Sequence, residues 1–208
     1  MRLVDYLVAR DGPPAPSGLA YDYVVAADGL WVQAENGHLA ARVPVAHCEV
    51  RGLAALHPVF TLKHGRVPDA LWAHIVDVAQ AWAAEGQEVL LTVRYTERLG
   101  YHLVVPRQAT TATEVAYLPA PDVVLEVHSH HRYDARFSPT DDDDEQRLAV
   151  YGVLGRLDQE QPEVALRVGV YGAFIPVPWE DVFEGGRGEF RDAHFDPETR
   201  EADDELLH

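Results

Sequence analysis

Apolar and polar positions fall into two regimes that change near residue 64. Before that point, short runs predict strands at Tyr21 to Ala26, Leu30 to Ala34 and Leu39 to Val45, and Asn36-Gly37 supplies a hairpin turn. The DGPPAPSG stretch from Asp11 to Gly18 can continue neither a helix nor a central strand, so it sets a short N-terminal segment apart. Residues 1–64 are therefore expected as a small β-rich module. From Pro68 the period becomes helical. Leu71, Ile75, Val78 and Trp82 share one face, Pro68 suits the first turn and Gly86 the stop. Strands are expected at Glu88 to Tyr95, at Tyr101 to Val105 after an Arg98-Leu99-Gly100 turn, and around Glu114 to Leu118. Val123 to His130 is the clearest strand because of its Val and Leu content.

Ser138 then suits a helix N-cap with Pro139 at the first helical position, and Leu148, Tyr151, Val153 and Leu154 supply apolar positions for the helix that follows. Val164 to Tyr171 and Phe174 to Val177 read as strands separated near Gly172. The pattern gives an α/β (α+β) domain over 65–185, and the acid-rich 186–208 is expected as a frayed or partner-dependent tail. Trp72 and Trp82, at helical spacing, read as core, and Trp31 and Trp179 as covers at module boundaries.

The chemistry concentrates in one string, HxHx7SxxD, formed by His128, His130, Ser138 and Asp141. Residues two apart on a strand project to the same face, so His128 and His130 point together and His131 points away. Two neutral imidazoles and a carboxylate make a three-ligand zinc site whose fourth tetrahedral position stays open, the arrangement hydrolysis requires. Bound zinc lowers the pKa of water to about 7 and polarises a carbonyl. A plainer reading makes HSHH a polar strand end and SPTD a helix start. The two coexist, because SxxD is related to the capping box and a capped helix start would fix Asp141. Of four successive aspartates only Asp141 is assigned to metal; the others suit a solvated helix start near its positive end.

These four residues, with a Glu upstream, resemble the JAMM (MPN+, JAB-domain) metalloproteases over roughly Val67 to Glu184. The SHH step, FSPTDDDDE and RVGVYGAF are similar to a bacterial branch, the PRTRC system protein A and Mov34/MPN/PAD-1 proteins. The resemblance implies a curved mixed sheet flanked by helices. It also implies one Zn(2+) per chain on His128, His130 and Asp141, and cleavage of peptide or isopeptide bonds at the carboxyl end of a ubiquitin-like modifier or a sulfur-carrier protein. It points further to a ubiquitin-activating-like partner.

By the same resemblance the general base is Glu88, which opens the strand after the first helix, although Leu91 stands where many members have Gly. Glu126, alternating onto the face of His128, is the runner-up and equally suits a partner to an imidazole; Glu97 and Glu85 are further options. Ser138 is then a hydrogen-bond donor to the developing oxyanion.

Composition narrows the partners. With 208 residues and 47% hydrophobic content the chain can bury one good core. A formal net charge of −17 argues against nucleic acid, whose binding depends on Lys and Arg releasing counterions. Cys48 is the only cysteine, which excludes an intramolecular disulfide and a thiolate zinc cluster; it reads as a small apolar filler. No run approaches the ~18 apolar residues of a membrane span, so the expectation is a cytoplasmic protein. The competing reading from another class is a catalytically silent MPN scaffold that uses its N-terminal module and acidic surface for assembly.

Overall fold

A computed structural model describes residues 2–106, 108–110, 115–117 and 122–193. The chain runs β1 (Val4–Val8), β2 (Tyr21–Ala26), β3 (Gly29–Glu35), β4 (Leu39–His47), β5 (Val59–Leu62), α1 (Asp69–Ala84), β6 (Leu90–Thr96) and β7 (Gly100–Val104). It continues through β8 (Gln108–Thr110), β9 (Val115–Tyr117), β10 (Val123–Ser129), α2 (Pro139–Asp144), β11 (Ala149–Gly155), β12 (Glu163–Val170), β13 (Ala173–Pro176), α3 (Trp179–Val182) and β14 (Arg191–Asp192). This is an α+β chain in which strands dominate and one helix of 16 residues is long. No helix among the described residues is long and apolar enough to cross a membrane.

Two mixed sheets carry the structure. The first is ordered β1-β2-β3-β4-β5, antiparallel except where β1 lies parallel to β2 across the Pro-rich connection. The second is ordered β13-β12-β11-β10-β6-β7, with β10 and β11 parallel and β14 alongside β12. The first sheet ends at Leu62 and α1 begins at Asp69, but the apolar core is not divided there. Val32, Leu39 and Val43 of the first sheet share one buried cluster with Leu91, Val93, Val150 and Val168 of the second. Burying each such side chain contributes roughly 1.5–3 kcal/mol, so each sheet depends on the other for cover.

The helix expected to carry Leu148, Tyr151, Val153 and Leu154 is instead two elements. Its helical part stops at Asp144, and these residues enter the chain as the all-buried strand β11 or just before it. The physical reason is burial on both faces: a central strand of a partly parallel sheet is apolar at every position and loses the period-two signature. In α1 the buried face centres on Trp72, Ile75 and Ala79, while Leu71, Val78 and Trp82 flank it.

The segment from 186 begins as part of the body. Phe190 is buried with its ring 5.1 Å from that of Trp72, and β14 pairs with β12, so Phe190 and β14 are anchored where fraying was expected. Residues 194–208 lie outside the described residues, as do the ends of the strand expected over Glu114 to Leu118. Cys48 is exposed; it follows the last residue of β4, where the chain leaves the sheet, and fills no core position. Trp31 packs with Ala9, Val24, Ala26 and Leu56 in a small second cluster.

Candidate metal centre

The site lies at the end of β10, between its antiparallel neighbour β6 and its parallel neighbour β11. His128 is in the strand and His130 follows its last residue, held by a bond from its N–H to the Leu154 carbonyl at 2.7 Å. The two Nε2 atoms are 3.1 Å apart, and His128 Nε2 is 3.3 Å from Asp141 Oδ1. One ligand atom from each of the three residues falls within a mutual 4.8 Å. In a tetrahedral zinc site with bonds of about 2.0–2.1 Å, neighbouring ligand atoms lie roughly 3.3 Å apart, so the donor set fits that ion in type, and His128 meets that spacing to both His130 and Asp141.

The candidate ligands are oriented from behind. Nδ1 of His130 faces the Asp134 carbonyl at 3.0 Å, which makes Nδ1 the donor and leaves the Nε2 lone pair toward the centre. Asp141 is fixed by a complete capping box. The Ser138 hydroxyl and N–H donate to its Oδ2 at 2.7 and 2.6 Å, and its own N–H donates back to Ser138 Oγ at 3.3 Å. The carboxylate thus divides its oxygens, Oδ2 to the helix cap and Oδ1 toward His128. Ser138 is engaged by Asp141 here, and donation to a substrate oxygen requires its hydroxyl to turn.

Electrostatics favour metal-ready protonation states. Burial lowers the pKa of His128, Asp141 pulls the other way, and His130 and Arg167 add to the lowering, so the imidazole is neutral at neutral pH. Burial raises the Asp141 carboxyl, but His128 and the bonds from Ser138 outweigh it and hold the group below its ordinary value.

Glu88 precedes the first residue of β6 by two. Leu90 pairs with His128, and the register continues through Val89, whose N–H donates to Ser129 Oγ at 3.0 Å and whose carbonyl accepts from Ser129 N–H at 3.0 Å. Glu88 immediately precedes Val89 at this end of the strand pair. Its side chain is buried, and burial, with the charge of Asp141, pushes its pKa up to about 7. The other carboxylates are placed differently. Glu126 is buried but ion-paired with Arg147. Glu97 is exposed in the turn at the opposite end of β6, and Glu85 is exposed at the C-cap of α1. His131 adopts φ 47° in the turn after His130 and its carbonyl accepts from Leu157 N–H at 2.8 Å.

Several supports carry no local motif. The loop 131–137 is fastened to β11 and β12 by Arg156 N–H to the Tyr133 carbonyl at 2.7 Å and by Ala135 N–H to the buried Glu163 Oε2 at 3.0 Å. Gly155 lets that loop approach, since a Cβ there would sit 2.4 Å from Ala135 N and 2.6 Å from the Tyr133 oxygen. Gly155→Ala is accordingly expected to displace the loop that orients His130 and to weaken zinc binding on the order of 10–100-fold, read by competition with a chelator. Wild-type affinity in that variant would show that the loop does not set the imidazole. No family model and no curated protein matches this chain.

Proposed function

We propose that the chain is a zinc-dependent hydrolase of peptide or isopeptide bonds, of the JAMM/MPN+ kind, acting at the carboxyl end of a ubiquitin-like modifier. The observation that carries this reading is the convergence of ligand atoms of His128, His130 and Asp141 within 4.8 Å of one another at the end of one strand, with a buried Glu88 close enough to feel the charge of Asp141. A zinc ion held by these three residues supplies Lewis acidity and brings the pKa of water to about 7. Glu88 accepts the proton released as water attacks the amide carbon and delivers it to the nitrogen as the carbon–nitrogen bond breaks. Ser138, turned from Asp141, donates to the carbonyl oxygen as negative charge gathers there. Sulfur-carrier processing would need the same groups. A ubiquitin-activating-like partner and a cytoplasmic setting, in which the exposed Cys48 remains a thiol, belong to the same proposal.

The test is metal analysis combined with cleavage of modifier fusions and isopeptide-linked conjugates. The reading expects one zinc per chain and cleavage after the modifier's last residue. Stoichiometric zinc without hydrolysis would favour the scaffold reading. Ser138→Ala separates the hydroxyl's two tasks. Turnover is expected to fall on the order of 100-fold, with metal content nearly kept and stability down by about 0.5–2 kcal/mol from the lost cap. An unchanged kcat would remove Ser138 from the chemistry.

A further inference from the structure

The helix that carries Asp141 has little reason to exist alone. α2 is six residues long, its sequence is PTDDDD, and none of its residues is buried. So short a segment is below the length at which helices persist in water, and its neighbouring carboxylates repel one another. The capping box secures only its first turn. What secures the remainder comes from β12, more than 20 residues further along the chain: Arg167, the one cation of EVALRVGV, flanked by apolar residues and itself buried.

Its guanidinium reaches both ends of the helix. Nη1 donates to Asp142 Oδ1 at 2.6 Å, in the residue next to Asp141. Nε and Nη2 both donate to Glu145 Oε2, at 2.8 and 2.6 Å, and the Glu145 N–H donates to the Asp141 carbonyl at 2.9 Å. The central carbon of Arg167 stacks 3.8 Å from the ring centroid of Phe137, the residue preceding Ser138, and 3.8 Å from that of Phe174. A planar, permanently charged fork can make these contacts together, and a lysine ammonium cannot.

We infer that Arg167 is a positioning residue for the metal centre: by gripping Asp142, Glu145 and Phe137 it holds the start of α2 so that Asp141 Oδ1 meets the two imidazoles. This rests on the zinc reading above. It differs from a general stabilising role because the contacts converge on one ligand and leave His128 and His130, held by β10 and the loop after it, in place.

The experiment compares wild type with Arg167→Met, Arg167→Lys and Asp142→Asn, using zinc affinity from chelator competition and the visible spectrum of the cobalt(II)-substituted protein at saturating metal. Arg167→Met is expected to lose zinc affinity on the order of 10–100-fold, and its cobalt absorption should weaken as the carboxylate withdraws. Arg167→Lys should fail to restore the wild-type spectrum, since charge without the fork does not hold the helix. Asp142→Asn alters an exposed anchor and leaves no cavity, so it reads the same effect, smaller, if Arg167→Met does not fold. Wild-type affinity and spectrum in folded Arg167→Met, or in Asp142→Asn when Arg167→Met is unfolded, overturn the inference while the zinc reading stands. Wild-type protein that takes up neither metal overturns both.

Discussion

Glu88→Gln protein is expected to bind zinc as well as wild type and to lose hydrolysis by roughly 10²–10⁴-fold, the range that a positioned general base contributes. The substitution keeps shape and hydrogen-bonding capacity while removing the only function asked of the carboxylate. The group's pKa of about 7, raised by burial and by Asp141, supplies two further readouts. In metal-free protein the unfolded chain releases this proton near 4.5 and the folded chain retains it to about 7, so the group's contribution to stability declines as pH rises between those values and is level above them. Metal-free Glu88→Gln lacks that decline and should resist urea better than wild type at pH 8 relative to pH 5. On the proposed reading, a bound cation would draw the carboxyl below its metal-free value and give kcat/KM an acid limb below pH 7. Retained hydrolysis in Glu88→Gln would transfer the role to another carboxylate, with Glu126 next to be tested.

His128→Ala and Asp141→Ala are expected to remove zinc and activity together, the largest effect in the molecule. Each would leave two of the three candidate ligands. Asp141→Ala also breaks the capping box that starts α2, so some loss of stability accompanies the loss of metal, whereas His128→Ala leaves that cap intact. Metal analysis after dialysis against a weak chelator reads the outcome directly. Full zinc retention in both variants would defeat the ligand assignment.

The site was legible where its geometry is local. His128 and His130 share a face by the two-residue period of a strand, and SPTD reads as a helix start whether or not it holds a metal. Both features survive in the structure as one device. Strand-level organisation was legible where one face meets solvent and the alternation shows. It failed at β11, where AVYGVLG is buried on every position and only Gly152, Gly155 and the β-branched Val150 and Val153 hint at a strand. It also passed over β1, whose five residues gain meaning from pairing with a strand beyond the Pro-rich connection. Arg167 and Glu163 were invisible for a related reason: they act on a helix and a loop more than 20 residues earlier, and no spacing rule spans that gap. The signal that could have found Arg167 is its isolation, since a cation in the middle of an apolar strand must answer buried acids somewhere.

The divided carboxylate of Asp141 bears on which ions such a centre would accept. With Oδ2 accepting bonds from the Ser138 N–H and hydroxyl, Oδ1 is the freer oxygen, which disfavours bidentate chelation. Calcium, which seeks six to eight oxygens and favours bidentate acids, meets two nitrogens and a single oxygen. A borderline-soft ion content with few, nitrogen-rich neighbours would be the better guest, and discrimination against the abundant alkaline-earth ions would follow from how a helix happens to begin.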